Sequence, residues 1–497
     1  MDTTIFLAIS FLFLFLAQRF HRARTIRKNL PPSPPGLPII GHLHLQEPPM
    51  YLTYYNLAKK YGPIFSLRFG SRTVVVVSST STIEECFTKN DIVLANRSKL
   101  LVGKYLGYNY TAIDHTSYGE HWRNLRRISA SEFLSNSRLN LLESIRKDEV
   151  KQLVTKLSRE SMNDFAEVEL KSVFRDLSFN ILMRMTAGKR YFGDDVNEEE
   201  TREFQKLMME LPSFYDTSNP RDFFPIWSWI DGGRFEKRLR NVYQRMDNFM
   251  QNLVEACRDK LHPGSLETLV NNLLVLQKSD SQNITDEIIK GFISSMIFAG
   301  TEAIYVTLEW AMASVLKDSK ILIKSREEID NIIGQDCKLE ENDLSKLPYL
   351  QNIILEALRM FPSTPVMDPH MASEDCTLAG YNIPRGTVVL ANAWALHRDP
   401  SVWDDPNTFK PERFEGIGDG AIKNFIPFGM GRRSCPGMNL GYRVLGLALG
   451  SLIQCFDWRR VPGDDIDMRG GSGSTMPKVI PLKAMCKARP VVKKILS

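Results

Sequence analysis

The stretch from Ile284 to Leu316 constrains the fold more than any other part of the chain. Its apolar residues recur at helical spacing for roughly 30 positions. Asn283 or Thr285 can cap its start, and Asp286 and Glu287 in the first turn suit the positive end of a helix. A helix of that length crosses a whole domain. Other helix-period stretches run over 136–157, 235–261 and 321–333. Short β-like runs come early ("IFSLRFG", "TVVVVSS") and late ("TVVLANAWAL", "TMPKVIPLKAMCK"). From about Met50 onward no repeat, low-complexity tract or linker divides the chain. A length of 497 residues alone suggests about three domains. The pattern instead predicts one mainly α body with small β-sheets.

Composition is that of a globular protein, 43% hydrophobic and 24% charged, with a net charge of +5. No dense basic stripe with interleaved aromatics is present, which argues against a nucleic-acid partner. The seven cysteines are scattered and form no CxxC pair, as expected in a reducing compartment. The Asn-x-Ser/Thr triplets at Asn96, Asn109 and Asn283 then read as chance.

The N-terminus reads differently. Ile5 to Ala17 is nearly unbroken apolar sequence, with Asp2 before it and Arg19, Arg22, Arg24, Arg27 and Lys28 after it. A cleaved signal peptide carries its positive charge first. The reversed order predicts a signal anchor over 3–20 that leaves the body on the cytosolic side. Pro31 to Pro38 holds five prolines and a glycine, which forbid helix and stiffen an extended strap. Residues 21–38 therefore read as a basic, proline-rich hinge ahead of the main domain over 39–497.

The strongest chemical signal is "FIPFGMGRRSCPGMNL", Phe425 to Leu440. Cys435 lies in a loop where Gly429, Gly431 and Gly437 permit tight turns. A helix begins almost at the cysteine, so its first amides can stabilise a thiolate. The string Phe428-x-x-Gly431-x-Arg433-x-Cys435-x-Gly437 resembles the haem-binding loop of the cytochrome P450 superfamily at every position. The resemblance extends over essentially the whole chain. It implies the P450 fold, one haem-containing domain behind the anchor, and haem b with Cys435 as its axial thiolate.

Further matches carry further expectations. "EALR" supplies Glu356 and Arg359 at i, i+3 spacing, and "FKPERF" supplies Arg413. In the superfamily these three form a structural triad beside the haem. Trp122 and Arg126 of "HWRNLRR", with Arg433 and His370 of "MDPH", are implied to approach the haem propionates. Guanidinium groups suit carboxylates held away from water. "KYLGYNYT", "GYNIPRGT" and "NAWALHRDP" look like the A-type plant microsomal enzymes, near the branch of isoflavonoid hydroxylases and lignan methylenedioxy-bridge enzymes. Relatives in that branch also oxidise triterpenoids. The implied setting is the endoplasmic-reticulum membrane, with O2 as co-substrate. No flavin or nicotinamide segment is legible, and "GIGDGA" is only a weak glycine string. Electrons are thus expected from NADPH through a separate reductase, with Arg123, Arg127 and Arg432 as candidate docking charges.

The long helix departs from the family pattern. Across the oxygen-binding face the superfamily usually reads Ala/Gly-Gly-x-Asp/Glu-Thr-Thr/Ser. Here Ala299, Gly300 and Glu302 match, but Ala303 and Ile304 replace both hydroxyl residues. Thr301 and Thr307 project at the wrong angle or lie a turn away. Two readings stay open. One is an ordinary hydroxylase that tolerates the alanine, the other a ring-forming or rearranging oxidation in which the substrate's own oxygen takes the hydroxyl's place. A reductase-independent haem-thiolate isomerase or dehydratase also lacks the hydroxyl, but tends to an altered Cys loop. A haem protein without turnover needs no acid at 302. The small hydrophobic substrate is expected against Leu101, Val102, Tyr108, Phe298, Val366, Asp368, Thr475 and Met476, an apolar set with Asp368 as its odd acid.

Overall fold

The site is framed by seven helices: α1 (Glu120–Ser129), α2 (Glu143–Ser161), α3 (Leu170–Ala187), α4 (Arg234–Asp259), α5 (Asp286–Lys317), α6 (Pro348–Met360) and α7 (Met438–Cys455). This computed structural model describes residues 29–193, 196, 198–216, 220–224, 232–262, 267–416 and 424–496. The expected anchor at 3–20 and hinge residues 21–28 lie outside the described residues, as does most of the 416–421 glycine string.

α5 is the axis of the body, 32 residues long. Thr285 caps it by accepting a hydrogen bond from Ile288 N–H at 3.3 Å. It ends at Asp318, which leaves helical geometry and caps the following helix. Apolar residues ring α5, so α3, α4, α6 and α7 enclose it. Its closest neighbour is α3. A Cβ at Gly300 would lie 2.7 Å from Leu182 Cδ1, so glycine sets that approach. Among the described residues α5 is the one helix apolar and long enough to span a membrane, yet it forms the core.

Three small sheets flank the helices. β1 (Ile64–Phe69), β2 (Arg72–Val77), β7 (Val388–Ala391) and β4 (His370–Met371) form a four-stranded sheet, with β2 and β7 parallel. β3 (Ala166–Glu169), β9 (Lys483–Ala488) and β8 (Phe456–Arg459) form the second, and β5 (Cys376–Leu378) and β6 (Tyr381–Ile383) a hairpin. The proline strap is docked on β1. Ser66 donates its N–H to Pro32 O at 2.7 Å and its hydroxyl to Pro31 O at 2.9 Å.

Three expectations need correcting, the first being "TVVLANAWAL", which is strand only over Val388–Ala391 and then helix over Ala393–Leu396. The 136–157 stretch is not one helix, because Leu142 turns out of helical geometry with its side chain buried. "TMPKVIPLKAMCK" is strand only over Lys483–Ala488. Its first half is held by α5 instead, since Trp310 Nε1 donates to Met476 O at 2.7 Å. The Trp310 ring also stacks on Phe361 at 4.1 Å.

The Glu356–Arg359–Arg413 group forms a closed network. Glu356 and Arg359 are fully buried and bonded in bidentate fashion at 2.7 and 2.8 Å. Arg359 also donates to His397 O and Pro406 O, and Arg413 Nε reaches Glu356 at 3.4 Å. Glu356 thereby ties α6 to the turn at Pro411–Phe414.

Glu356→Ala leaves Arg359 as a buried charge without its counter-ion. It is expected to cost about 3–5 kcal/mol, read by denaturant unfolding followed by circular dichroism. Trp310→Ala removes a buried ring, with an expected loss of about 3–5 kcal/mol in the same experiment.

Candidate functional site

The Cys435 loop is built by its glycines. Gly431 has φ +71°, and a Cβ there would lie 2.7 Å from Phe87 O and 2.6 Å from Asp91 Oδ1. The next residue, Arg432, donates its N–H to the same Asp91 oxygen at 3.1 Å. Cys435 N–H donates to Phe428 O at 2.8 Å, and the Phe428 ring packs on Tyr442 of α7 at 5.1 Å. The Cys435 thiol is reachable by solvent yet crowded by protein. That crowding pushes its pKa up, while the Gly437 backbone donor and the Arg126 charge pull it down. An anion at Cys sulfur is thus matched by a cation and an amide.

A cluster of cations lies beside the loop. Trp122 of α1 is 5% exposed, and the Arg433 guanidinium sits 4.6 Å from its ring centre. Arg433 donates to the carbonyls of Ala95, Ile113 and Thr116. Burial first, then Arg97, lower its pKa to about 9. Arg97 is a member that sequence reasoning missed. It donates to Asp114 O and Pro369 O at 3.1 and 2.8 Å, and its side chain is 11% exposed. A single arginine in "LANRSKL" carries no signal by itself. Burial lowers the pKa of Arg97 and Arg126 as well. His370 gives an Nδ1 hydrogen bond to Leu94 O at 2.9 Å. Burial, then Arg97, bring its pKa down to about 3, so the ring is neutral.

Three crowded guanidinium groups gather here with few carboxylates. Asp368 reaches Arg97 only at 3.9 Å, and its side chain is 66% exposed. No hydrogen bond or ion pair of the Arg126 side chain is found among the described residues. A haem fits this donor set: a thiolate donor for iron, beside a cationic, hydrogen-bond-donating cluster of the kind two carboxylates require.

On α5, Ala299 is exposed midway along a helix that is otherwise largely packed. Phe298 and Ala303 are half-buried on either side of it. Thr301 is fully buried and its hydroxyl has no hydrogen-bond partner, so it faces the interior. Thr307 donates to Ala303 O at 2.7 Å, which commits that hydroxyl to the backbone. Glu302 accepts from Thr475 Oγ1 at 2.6 Å and from Tyr305 Oη at 3.4 Å.

The expected substrate residues separate into groups. Leu101 and Val366 are half-buried and Val102 is buried. Tyr108 is 1% exposed and packs against Gly291 and Tyr243, inside the protein. Tyr108, Asn109 and Tyr110 all take left-handed φ, 46° to 64°, a strained turn in that segment. Met476 is buried with Trp310 and Phe361. Thr475 meets Glu302.

The family model described as "Cytochrome P450" matches residues 31–482. Cytochrome P450 81Q32 of Catharanthus roseus is 48% identical over 497 residues, covering 100% of this chain and 99% of the relative. Isoflavone 2'-hydroxylase of Glycyrrhiza echinata is 47% identical over 496 residues, covering 99% and 98%. Isoflavone 3'-hydroxylase of Medicago truncatula is 46% identical over 470 residues, covering 93% of each. Among solved structures, a zebra fish cytochrome P450 with progesterone superposes with a TM-score of 0.78 at 26% identity, covering 89% of this chain and 100% of that one. With its Cys435 loop, buried triad and helical body, the chain belongs to the cytochrome P450 family and is a haem-thiolate monooxygenase.

Proposed function

We propose that the chain is an endoplasmic-reticulum plant monooxygenase that hydroxylates a small hydrophobic specialised metabolite, isoflavonoid or lignan-like, or a triterpenoid. It uses O2 and electrons that an NADPH-dependent reductase delivers. Likeness at near-full length to enzymes named isoflavone 2'- and 3'-hydroxylase is the observation that carries the substrate class. The anchor at 3–20 and hinge at 21–38 would hold the 39–497 catalytic domain on the cytosolic face.

When bound, the haem supplies activation of dioxygen. The chain's own residues do the rest. Cys435 would hold the iron, with Gly437 N–H and Arg126 opposing the upward shift that burial gives its sulfur. Trp122, Arg126, Arg433, Arg97 and His370 would hold the two carboxylates. Phe298, Leu101, Val102 and Val366 would present an apolar wall that excludes water. Glu302 would hold and move protons beside Ala303. Arg123, Arg127 and Arg432 would face the reductase.

A second reading draws support from Ala303. With no side-chain hydroxyl there and Thr307 tied to the backbone, a substrate that brings its own oxygen fills the gap. That favours methylenedioxy-bridge formation or another ring-forming oxidation. A reductase-independent isomerase or dehydratase is disfavoured by the regular Cys435 loop and the retained Glu302.

The test is mass spectrometry of products from microsomes holding the chain and a plant reductase. Isoflavonoids, methoxyphenolic lignans, alkaloids and triterpenoids are offered with and without NADPH. The expected result is an NADPH-dependent gain of one oxygen atom on an isoflavonoid. A net loss of two hydrogens establishes the ring-forming reading, and turnover without NADPH removes both. Cys435→Ala is expected to abolish turnover and the carbon-monoxide difference band of a thiolate-ligated haem, with the circular dichroism spectrum retained.

A further inference from the structure

The helix of this chain has lost its alcohol, yet a hydroxyl still reaches the acid. Thr475 Oγ1 donates to Glu302 Oε1 at 2.6 Å, a short, charge-assisted contact across 173 positions of sequence. The donor belongs to a well-fixed loop. Gly470 and Lys478 pair as an antiparallel bridge, and Gly471 N–H donates to Pro477 O at 2.7 Å. The next residue, Met476, is held at both ends of its backbone: its N–H donates to Ser363 O at 2.9 Å, and its carbonyl accepts from Trp310 Nε1 at 2.7 Å. Trp310 lies on the same helix as Glu302, so the loop and the acid share one rigid support. A side chain one residue from such an anchor has little freedom to leave its partner.

The hydroxyls within α5 do not compete for this task. Ala303 has none, Thr301 is buried away from the exposed Ala299 side, and the Thr307 hydroxyl is bonded to Ala303 O. On the other flank of Glu302, Tyr305 donates at 3.4 Å. Burial first, then the charges of Glu302 and Glu309, raise the Tyr305 pKa, so it remains a phenol that donates.

We propose that Thr475 is a positioning residue for proton delivery: from outside the helix it supplies the hydroxyl that Ala303 lacks, and it holds the Glu302 carboxylate in one orientation beside the oxygen-binding face. The inference rests on the monooxygenase reading. It assigns to Thr475 a role other than contact with the substrate's apolar body.

The test uses full-length chain in reductase-containing microsomes, with the substrate accepted by the wild type. Thr475→Val, Thr475→Ser, Glu302→Gln and the Thr475→Val/Glu302→Gln pair are compared. Losing a hydrogen bond to a charged group predicts a fall in kcat of about ten- to a hundredfold for Thr475→Val. Peroxide released per NADPH should rise, and the dissociation constant from spectral titration should stay within about twofold of the wild type. Thr475→Ser should restore most of the activity, and Thr475→Val should add little once Glu302 is Gln. Thermal unfolding of purified holoprotein supplies a readout free of turnover, in which the two substitutions should shift Tm non-additively.

A raised dissociation constant with kcat unchanged overturns the proposal and makes Thr475 a substrate contact. Additive Tm shifts overturn it as well. If the wild type shows no NADPH-dependent turnover, the monooxygenase reading falls. The thermal cycle then still decides the contact: additivity refutes it, and coupling upholds it.

Discussion

A helix that is apolar around its whole circumference must be enclosed by protein, and α5 imposes that demand on the rest of the fold. Ile289, Ile297, Met312, Leu316, Val306 and Phe292 follow one another around its axis and are all buried. α3 can come close because Gly300 leaves room for Leu182. The carboxylates Glu302 and Glu309, seven positions apart, share a face of that helix. Both are met by the segment before β9, through Thr475 Oγ1 at 2.6 Å and Leu482 N–H at 2.8 Å. Burial raises the Glu309 pKa and the Leu482 amide opposes it, a structural acid rather than an exposed one. One stretch of chain thus meets one oxygen of each carboxylate, while Glu309 Oε2 is buried without a hydrogen-bond partner among the described residues.

Electrostatics on the other side of the body has the opposite problem. Arg97, Arg126 and Arg433 crowd together, and burial works against the charge of each. The chain compensates with backbone carbonyls, which carry only partial charge, and with the face of Trp122. A neutral His370 beside them adds no further positive charge. Such a cluster is stabilised by bound carboxylates far more than by carbonyls. Binding of a dicarboxylate group and stability of this region are therefore linked.

Features that rest on contiguous sequence were legible. The Cys435 loop, the i, i+3 pair of Glu356 and Arg359, and the capped start of α5 each declare themselves within a few residues. Features that depend on chain segments meeting across the fold were not. Thr475 sits in "GSGSTMPK", where nothing points to Glu302. Met476 and Tyr108 read as cavity residues from the segments they occupy, whereas they pack against Trp310 and Gly291. Arg97 became visible only when β4 and the Cys435 loop brought His370 and Arg433 beside it. The turn at Leu142 escaped notice because helical periodicity continues through it.

The exchange of threonine for alanine at 303 also has a local logic. Alanine is the better helix former, by several tenths of a kcal/mol, and lacks a hydroxyl that would bond back to the preceding turn. Thr307 does make such a bond, to Ala303 O, and it does so one turn further along. With the acid kept and its alcohol supplied by a loop, the two partners no longer share one backbone segment. Their separation is set instead by the bond between Trp310 and Met476. An alcohol on the helix is fixed relative to its acid by helical geometry alone. An alcohol on the loop can be moved by any change that shifts the loop, so proton delivery in this chain depends on packing at Trp310, eight residues away from the acid it serves.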